Sequence, residues 1–327
     1  MAFRDRWNHV PHSLPLQVNP LWRWPLDPSA AFAWWLKSWS PQSINLAIVA
    51  LAFTCWHWAS PTLATAATPG WWILGLWLRN LILITLLAQS LHLVFHRWAL
   101  QGKQHKYDPR PYPRQGRQFT FADQYWDNVF WACASGVTIW SGFEAIILWA
   151  MANGYAPLWS WQDGPIWFVA LFLLIPLWES LYFYVIHRLL HSRALYRFHA
   201  LHHRNTDVGP WSGLAMHPVE HLLYFGTAAI HLIIPSSPVH LICHLMFFAL
   251  YAVTTHTGFE GLFFKGKERL HLGNFHHQMH HRFFEVNYGT LDIPLDKAFG
   301  TFHDGTDAAD QSMKARLRAR ADMRSPD

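Results

Sequence analysis

Long apolar runs alternate with short polar, Trp-rich breaks along this chain. Four of the runs, residues 43–59, 71–95, 129–152 and 166–186, are long enough to cross about 30 Å of hydrocarbon as helices. The second run carries Arg79 and Asn80 and the third Glu144, polar groups that are expected to face the bundle interior or snorkel to its edge. A fifth region, 222–255, is interrupted by Pro235 and Pro238. Its arms of about 13 and 17 residues predict a re-entrant or tilted hairpin rather than two full spans. Trp34, Trp35, Trp39, Trp56, Trp58, Trp71, Trp72, Trp159, Trp161 and Trp167 cluster at the run ends, as an interfacial aromatic belt requires. The expected fold is an all-α integral membrane bundle of about four spans plus the hairpin, with a cytoplasmic histidine-rich cap.

Composition narrows this picture. Of the 327 residues, 14% are charged and 52% hydrophobic, which excludes a disordered chain. Three cysteines, each in an apolar stretch, exclude a disulfide scaffold and read as buried small hydrophobes. The formal charge of +5 is spread between apolar runs and forms no basic stripe, so it points to a membrane surface and not to nucleic acid.

Loop charge then predicts orientation, because cytoplasmic loops retain Lys and Arg. The N-terminal segment, the loop after the second run (Arg97, Lys103, Lys106, Arg110, Arg114, Arg117) and the stretch after the fourth (Arg188, Arg193, Arg197, Arg204) are basic. Residues 60–70, 153–165 and 235–240 contain no Lys or Arg. Both termini and the region after residue 186 are therefore expected to face the cytoplasm, including the tail with Lys314, Arg316, Arg318, Arg320 and Arg324, in the inner membrane if the source is bacterial. The first run begins too far into the chain for a cleaved signal and is expected to be retained, despite Ala64-Thr65-Ala66 after it. Three regions are expected: an N-terminal membrane region with its basic loop (1–128), a region with the later apolar runs (129–301), to which the resemblance given below assigns catalysis, and a basic tail (302–327).

Sixteen of the 23 histidines lie within residues 187–281. His187 and His191 form HxxxH; His199, His202 and His203 form HxxHH; His277, His280 and His281 repeat HxxHH. On a helix, positions i, i+3 and i+4 share one side and can converge on a metal. Burying so many imidazoles without a partner would be costly. Since four imidazoles saturate one tetrahedral site, this number calls for two ions. Imidazole suits Fe, Zn, Cu and Ni alike, but oxidation of an apolar substrate with O2 requires a redox metal, which favours iron over Zn. His217 and His256 lie between the clusters as further candidates, whereas His92, His96, His231, His240 and His244 read as structural.

The ordered set HRLLH, HALHH, His217-Pro218-Val219-Glu220, His256-Thr257-Gly258, HQMHH, Asn287-Tyr288-Gly289 and Asp296 through Thr301 resembles the fatty acid hydroxylase/sterol desaturase superfamily. The resemblance covers about residues 178–301, and the lack of fused domains is similar to bacterial members. It implies a helical, integral membrane, non-haem di-iron oxidoreductase that hydroxylates or desaturates lipids. The implied ligands are His187, His191, His199, His202, His203, His256, His277, His280 and His281, with His217 as a ligand or orienting residue. Fatty acyl hydroxylases of the family place a second His four residues after the equivalent of His256, where this chain has Glu260, a candidate ligand or outer partner. Glu220, Asn287 and Asp296 are expected to orient imidazoles. The expected substrate is a lipid, with an ornithine-type aminolipid as one candidate and O2 as co-substrate. Electrons are expected from a separate ferredoxin-, cytochrome- or reductase-type donor, because the chain has no redox-cofactor motif. Two readings from other classes are a zinc peptidase built on HxxEH (His217, Glu220, His221), in which Pro218 is awkward, and a metal transporter.

Overall fold

The computed structural model describes residues 2–322; Arg324 of the expected basic tail lies outside them. Among the described residues four helices are long and apolar enough to cross a membrane: Trp72–Arg97, Gln124–Ala152, Pro165–Leu190 and Pro238–Thr255. Local chemistry sets their starts. The Asp123 carboxylate accepts from the Trp126 amide at one end of the second, and Pro165 and Pro238 occupy first-turn positions, where a missing N–H costs nothing.

Two expectations about the spans change. The run 43–59 forms only the 14-residue helix Asn45–Trp58, about 21 Å long at 1.5 Å per residue and short of a full crossing. It packs instead against Pro238–Met246. The second arm of the 222–255 region is a continuous helical segment of span length, with a π turn at Phe247–Tyr251. Its first arm is a short α-helix, Pro218–Phe225, that tightens into a 3-10 helix at Gly226–Leu232. In the 18-residue window of Pro238–Thr255, 89% of the residues are buried, which makes it the central helix of the bundle. An apolar helix enclosed on all sides needs no amphipathic pattern.

The loops sort into two ends as their charge predicts. At the end without Lys or Arg, Asn153 Nδ2 donates to the Ala67 carbonyl (3.0 Å), and the Pro157 carbonyl accepts from the Ser236 amide (3.2 Å). Exposed Trp58 and Trp71, at 76% and 87%, also mark run ends. At the other end Lys106 Nζ reaches Asp207 (3.2 Å), Arg114 donates to Thr206 Oγ1 (3.0 Å), and Arg204 pairs with Asp127 (2.5 Å). Between the ends, buried Arg79 pairs with fully buried Glu144, and Asn80 donates to Ser141 and Glu144. These polar groups face the bundle interior and pair with one another, as intramembrane charges do.

The small sheet is one antiparallel hairpin, Gly261–Phe264 with Lys267–His271. Its two-residue loop, Lys265-Gly266, has positive φ at both positions (51° and 73°), the left-handed pair that a tight hairpin requires.

Candidate metal centre

Three helical pieces carry the histidine motifs to the basic end of the bundle: the end of Pro165–Leu190 with His191 as its cap, Tyr196–His203, and Phe275–Phe283. Asn274 starts the last of these by accepting from the His277 amide (3.1 Å). His256 caps the central helix.

Helical phase divides the rings. Residues four apart stand almost above one another, whereas neighbours are about 100° apart around the axis. Accordingly His187 with His191, and His199 with His203, enter one cluster that His280 completes. His277 with His281 enter a second, which His202 and His256 complete. Within each cluster the candidate ligand nitrogens all lie within 4.8 Å of one another. His202-His203 and His280-His281 each contribute one ring to each cluster, so the two sites lie side by side, with the His203 and His281 ring centres 5.0 Å apart.

The first cluster fits a metal by its proton inventory. The Tyr288 carbonyl accepts from His187 Nδ1 (2.6 Å), and the Val286 carbonyl accepts from His280 Nδ1 (2.6 Å). A carbonyl can only accept, so in a neutral ring Nε2 is left as a bare lone pair. Nε2 of His187 faces Nε2 of His199 at 3.0 Å. Those of His191, His203 and His280 form a triangle with edges of 3.1, 3.2 and 3.0 Å. Three in-plane nitrogens at those separations cannot all be satisfied by protons, but nitrogens ~2.1 Å from a common metal stand roughly 3.0–3.4 Å apart.

The second cluster repeats the arrangement. The Ala252 carbonyl accepts from His256 Nδ1 (2.7 Å), and its Nε2 faces Nε2 of His281 at 3.2 Å, which in turn lies 3.1 Å from Nε2 of His277. Burial disfavours the imidazolium form. It holds His199, His202, His203, His277, His280 and His281 well below the usual imidazole value, and His256 at about 4. The rings are neutral donors. Leaving each buried nitrogen unpaired would cost about 1–3 kcal/mol, a cost that a bound cation would remove.

The expected outer partners take different places. Glu220 Oε1 lies 2.7 Å from His199 Nδ1 and is the carboxylate behind that ring. Asp296 accepts from the amides of Tyr288 (2.9 Å) and Gly289 (2.7 Å) and from the Thr301 hydroxyl (2.6 Å). Asn287, at φ 56°, donates to the carbonyls of His276 and His303. Neither touches a cluster ring through its side chain. Together they hold the loop 286–289, whose carbonyls orient His187 and His280. Those carbonyls carry no side-chain signature, and sequence reasoning missed them.

Two candidate ligands lie apart. His217 caps the Pro218–Phe225 helix, its Nδ1 accepting from the Val219 amide (3.1 Å), and joins neither cluster. Glu260 is displaced from both clusters and lies beside His9 and His105. The peptidase arrangement does not assemble: His221 pairs with Ser135 and the Leu214 carbonyl while Glu220 serves His199. His276 points away from the clusters, toward Phe302.

The family model described as fatty acid hydroxylase matches residues 172–301. The chain is 31% identical over 165 residues to a putative Delta(7)-sterol-C5(6)-desaturase 2 of Arabidopsis thaliana, covering 48% of this chain and 57% of that protein. It is 30% identical over 126 residues to human lathosterol oxidase (38% and 42%), and 28% identical over 143 residues to a Delta(7)-sterol 5(6)-desaturase of Gibberella zeae (43% and 44%). The matched stretch therefore spans about half the length of these curated relatives. No solved structure matches the chain. The apolar helices make it an integral membrane protein, and residues 172–301, which carry both histidine clusters, match the fatty acid hydroxylase family model and are similar to sterol desaturases.

Proposed function

We propose that the chain is a membrane-embedded, O2-dependent lipid oxidoreductase that holds two iron ions, one in each histidine cluster, and hydroxylates a lipid C–H bond. The observation that carries this reading is the division of nine histidines, all but His191 fully buried, into two adjacent all-nitrogen clusters. Zn also suits these donors. Iron is the functional choice because, when bound, it supplies the activation of O2 that breaking an unactivated C–H bond requires.

The protein's own part is positional. His187, His191, His199, His203 and His280 would hold one ion, and His202, His256, His277 and His281 the other. The carbonyls of Tyr288, Val286 and Ala252 keep the proton of three rings on Nδ1 and aim Nε2 inward. Burial of the rings excludes water that would compete for the site. The clusters begin one turn before the end of Pro165–Leu190, so an apolar substrate lying in the bilayer meets them at the membrane boundary.

Desaturation is a second reading of the same site, favoured by relatives whose names describe sterol desaturases. Those names support a sterol-type lipid over an aminolipid. The basic end, with exposed Arg193 and Arg197, suits docking of an acidic electron donor on the cytoplasmic side. Lipid mass spectra of cells with and without the gene test the proposal. A lipid that gains one oxygen, or loses two hydrogens, with the wild-type chain but not with His202→Ala supports it. Identical lipid profiles under conditions that supply iron, O2 and reductant overturn it.

A further inference from the structure

A third donor group lies outside both clusters. His9, His105 and Glu260 bring two imidazole nitrogens and a carboxylate oxygen within 4.8 Å of one another. They come from three distant parts of the chain. His9 Nε2 lies 2.5 Å from Glu260 Oε2, and His105 Nδ1 lies 3.8 Å from the same oxygen. The second distance is too long for a hydrogen bond, and His105 Nδ1 is buried with no hydrogen-bond partner.

The backbone holds this arrangement in place. His105 adopts φ 63°, a left-handed conformation uncommon outside glycine. Its ring lies flat on Phe263, with centroids 3.7 Å apart and planes 4° from parallel, and its carbonyl accepts from the Glu260 amide (2.9 Å). Asn8 Nδ2 donates to the carbonyls of Lys103 and Lys106, both at 2.8 Å, and the Tyr107 carbonyl accepts from the Asn8 amide at 2.9 Å. The N-terminal segment is thereby laced onto the loop beside Glu260. A surface cavity of about 540 Å³, also lined by His12, opens next to His9 and His105.

We propose that His9, His105 and Glu260 form a separate divalent-cation site, suited to Zn2+. Two imidazoles and one carboxylate, with a fourth position open to the surface cavity, match the ligand count and donor types of three-ligand zinc sites. The ion takes the place of the proton on His9 Nε2 and supplies His105 Nδ1 with the partner it lacks. Burial alone would raise the Glu260 carboxyl, but its hydrogen bond with His9 and the neighbouring charges of His9, His105 and His12 hold it below the usual carboxylate value. Burial, the largest influence, lowers His105. Both groups are thus in ligand form at neutral pH. Glu260 follows His256 by four residues, so an ion here ties the N-terminal segment and the 103–107 loop to the stretch leaving the second cluster.

The test uses the full-length, iron-loaded chain in lipid nanodiscs, dialysed against Zn2+. The wild type is expected to hold one Zn2+ more per chain than Glu260→Gln or His105→Asn. Asn tolerates the left-handed backbone, and Gln keeps an oxygen that accepts from His9. This difference of one ion does not depend on which metal fills the two large clusters. Zn2+ is also expected to protect His9 and His105 from diethylpyrocarbonate, read by peptide mass spectrometry, and to leave exposed His271 reactive. Equal zinc content in the wild type and both variants, or no protection of His9, overturns the site.

Discussion

A neutral imidazole has one proton and two nitrogens, and this accounting governs the site residue by residue. Where Nδ1 donates outward to a carbonyl, Nε2 is left with a lone pair free for a metal, so the outer partner is as consequential as the ring. Glu220→Ala removes the acceptor behind His199 and is expected to weaken metal binding by about 10–100-fold in a chelator competition. His217→Ala, which removes only a helix cap, should leave the competition curve unchanged; a comparable loss would return His217 to the ligand set. The HxxxH and HxxHH spacings made eight of the nine cluster histidines legible in the sequence, because helical phase is local, and His256 was implied by the family resemblance. His217 and Glu260 misled for the converse reason. Each lies at ligand spacing, but one spends its nitrogen on a helix start and the other turns toward residues about 155 and 250 positions away, which no local pattern reveals.

At the level of elements, the loop 286–289 does more than connect. It supplies two carbonyls to the first cluster, and Asp296 holds it through two amides and a hydroxyl. Asp296→Ala should therefore weaken one metal site and spare the other, whose outer contacts come from the central helix. Measured iron should fall toward about one per chain under mild chelation, since loss of such outer partners typically costs 10–100-fold in affinity. Loss of both ions in parallel would show that the loop supports the whole fold and not one cluster. Hydropathy found three of the four span-length helices and the interruption at Pro235. It overestimated the 43–59 run, whose helix ends at Trp58, and underestimated the Pro238–Thr255 arm, because burial inside protein and burial in lipid select the same residues.

For the whole molecule, the charge of the loops divided the chain into two ends, and the contacts between loops follow that division. Which end faces the cytoplasm is open to direct measurement. With Cys133, the one thiol that is not fully buried, replaced by Ser, a cysteine at Thr62 should react with an impermeant maleimide on intact cells, and one at Lys103 only after permeabilisation. The reverse pattern would invert the orientation. Whether two adjacent histidine clusters each hold iron is read from iron content and Mössbauer spectroscopy on one purified sample. About two iron ions per chain in nitrogen-rich coordination are expected, falling to about one in His280→Ala and separately in His281→Ala. One ion per chain in the wild type, or two that survive either substitution, would contradict this expectation.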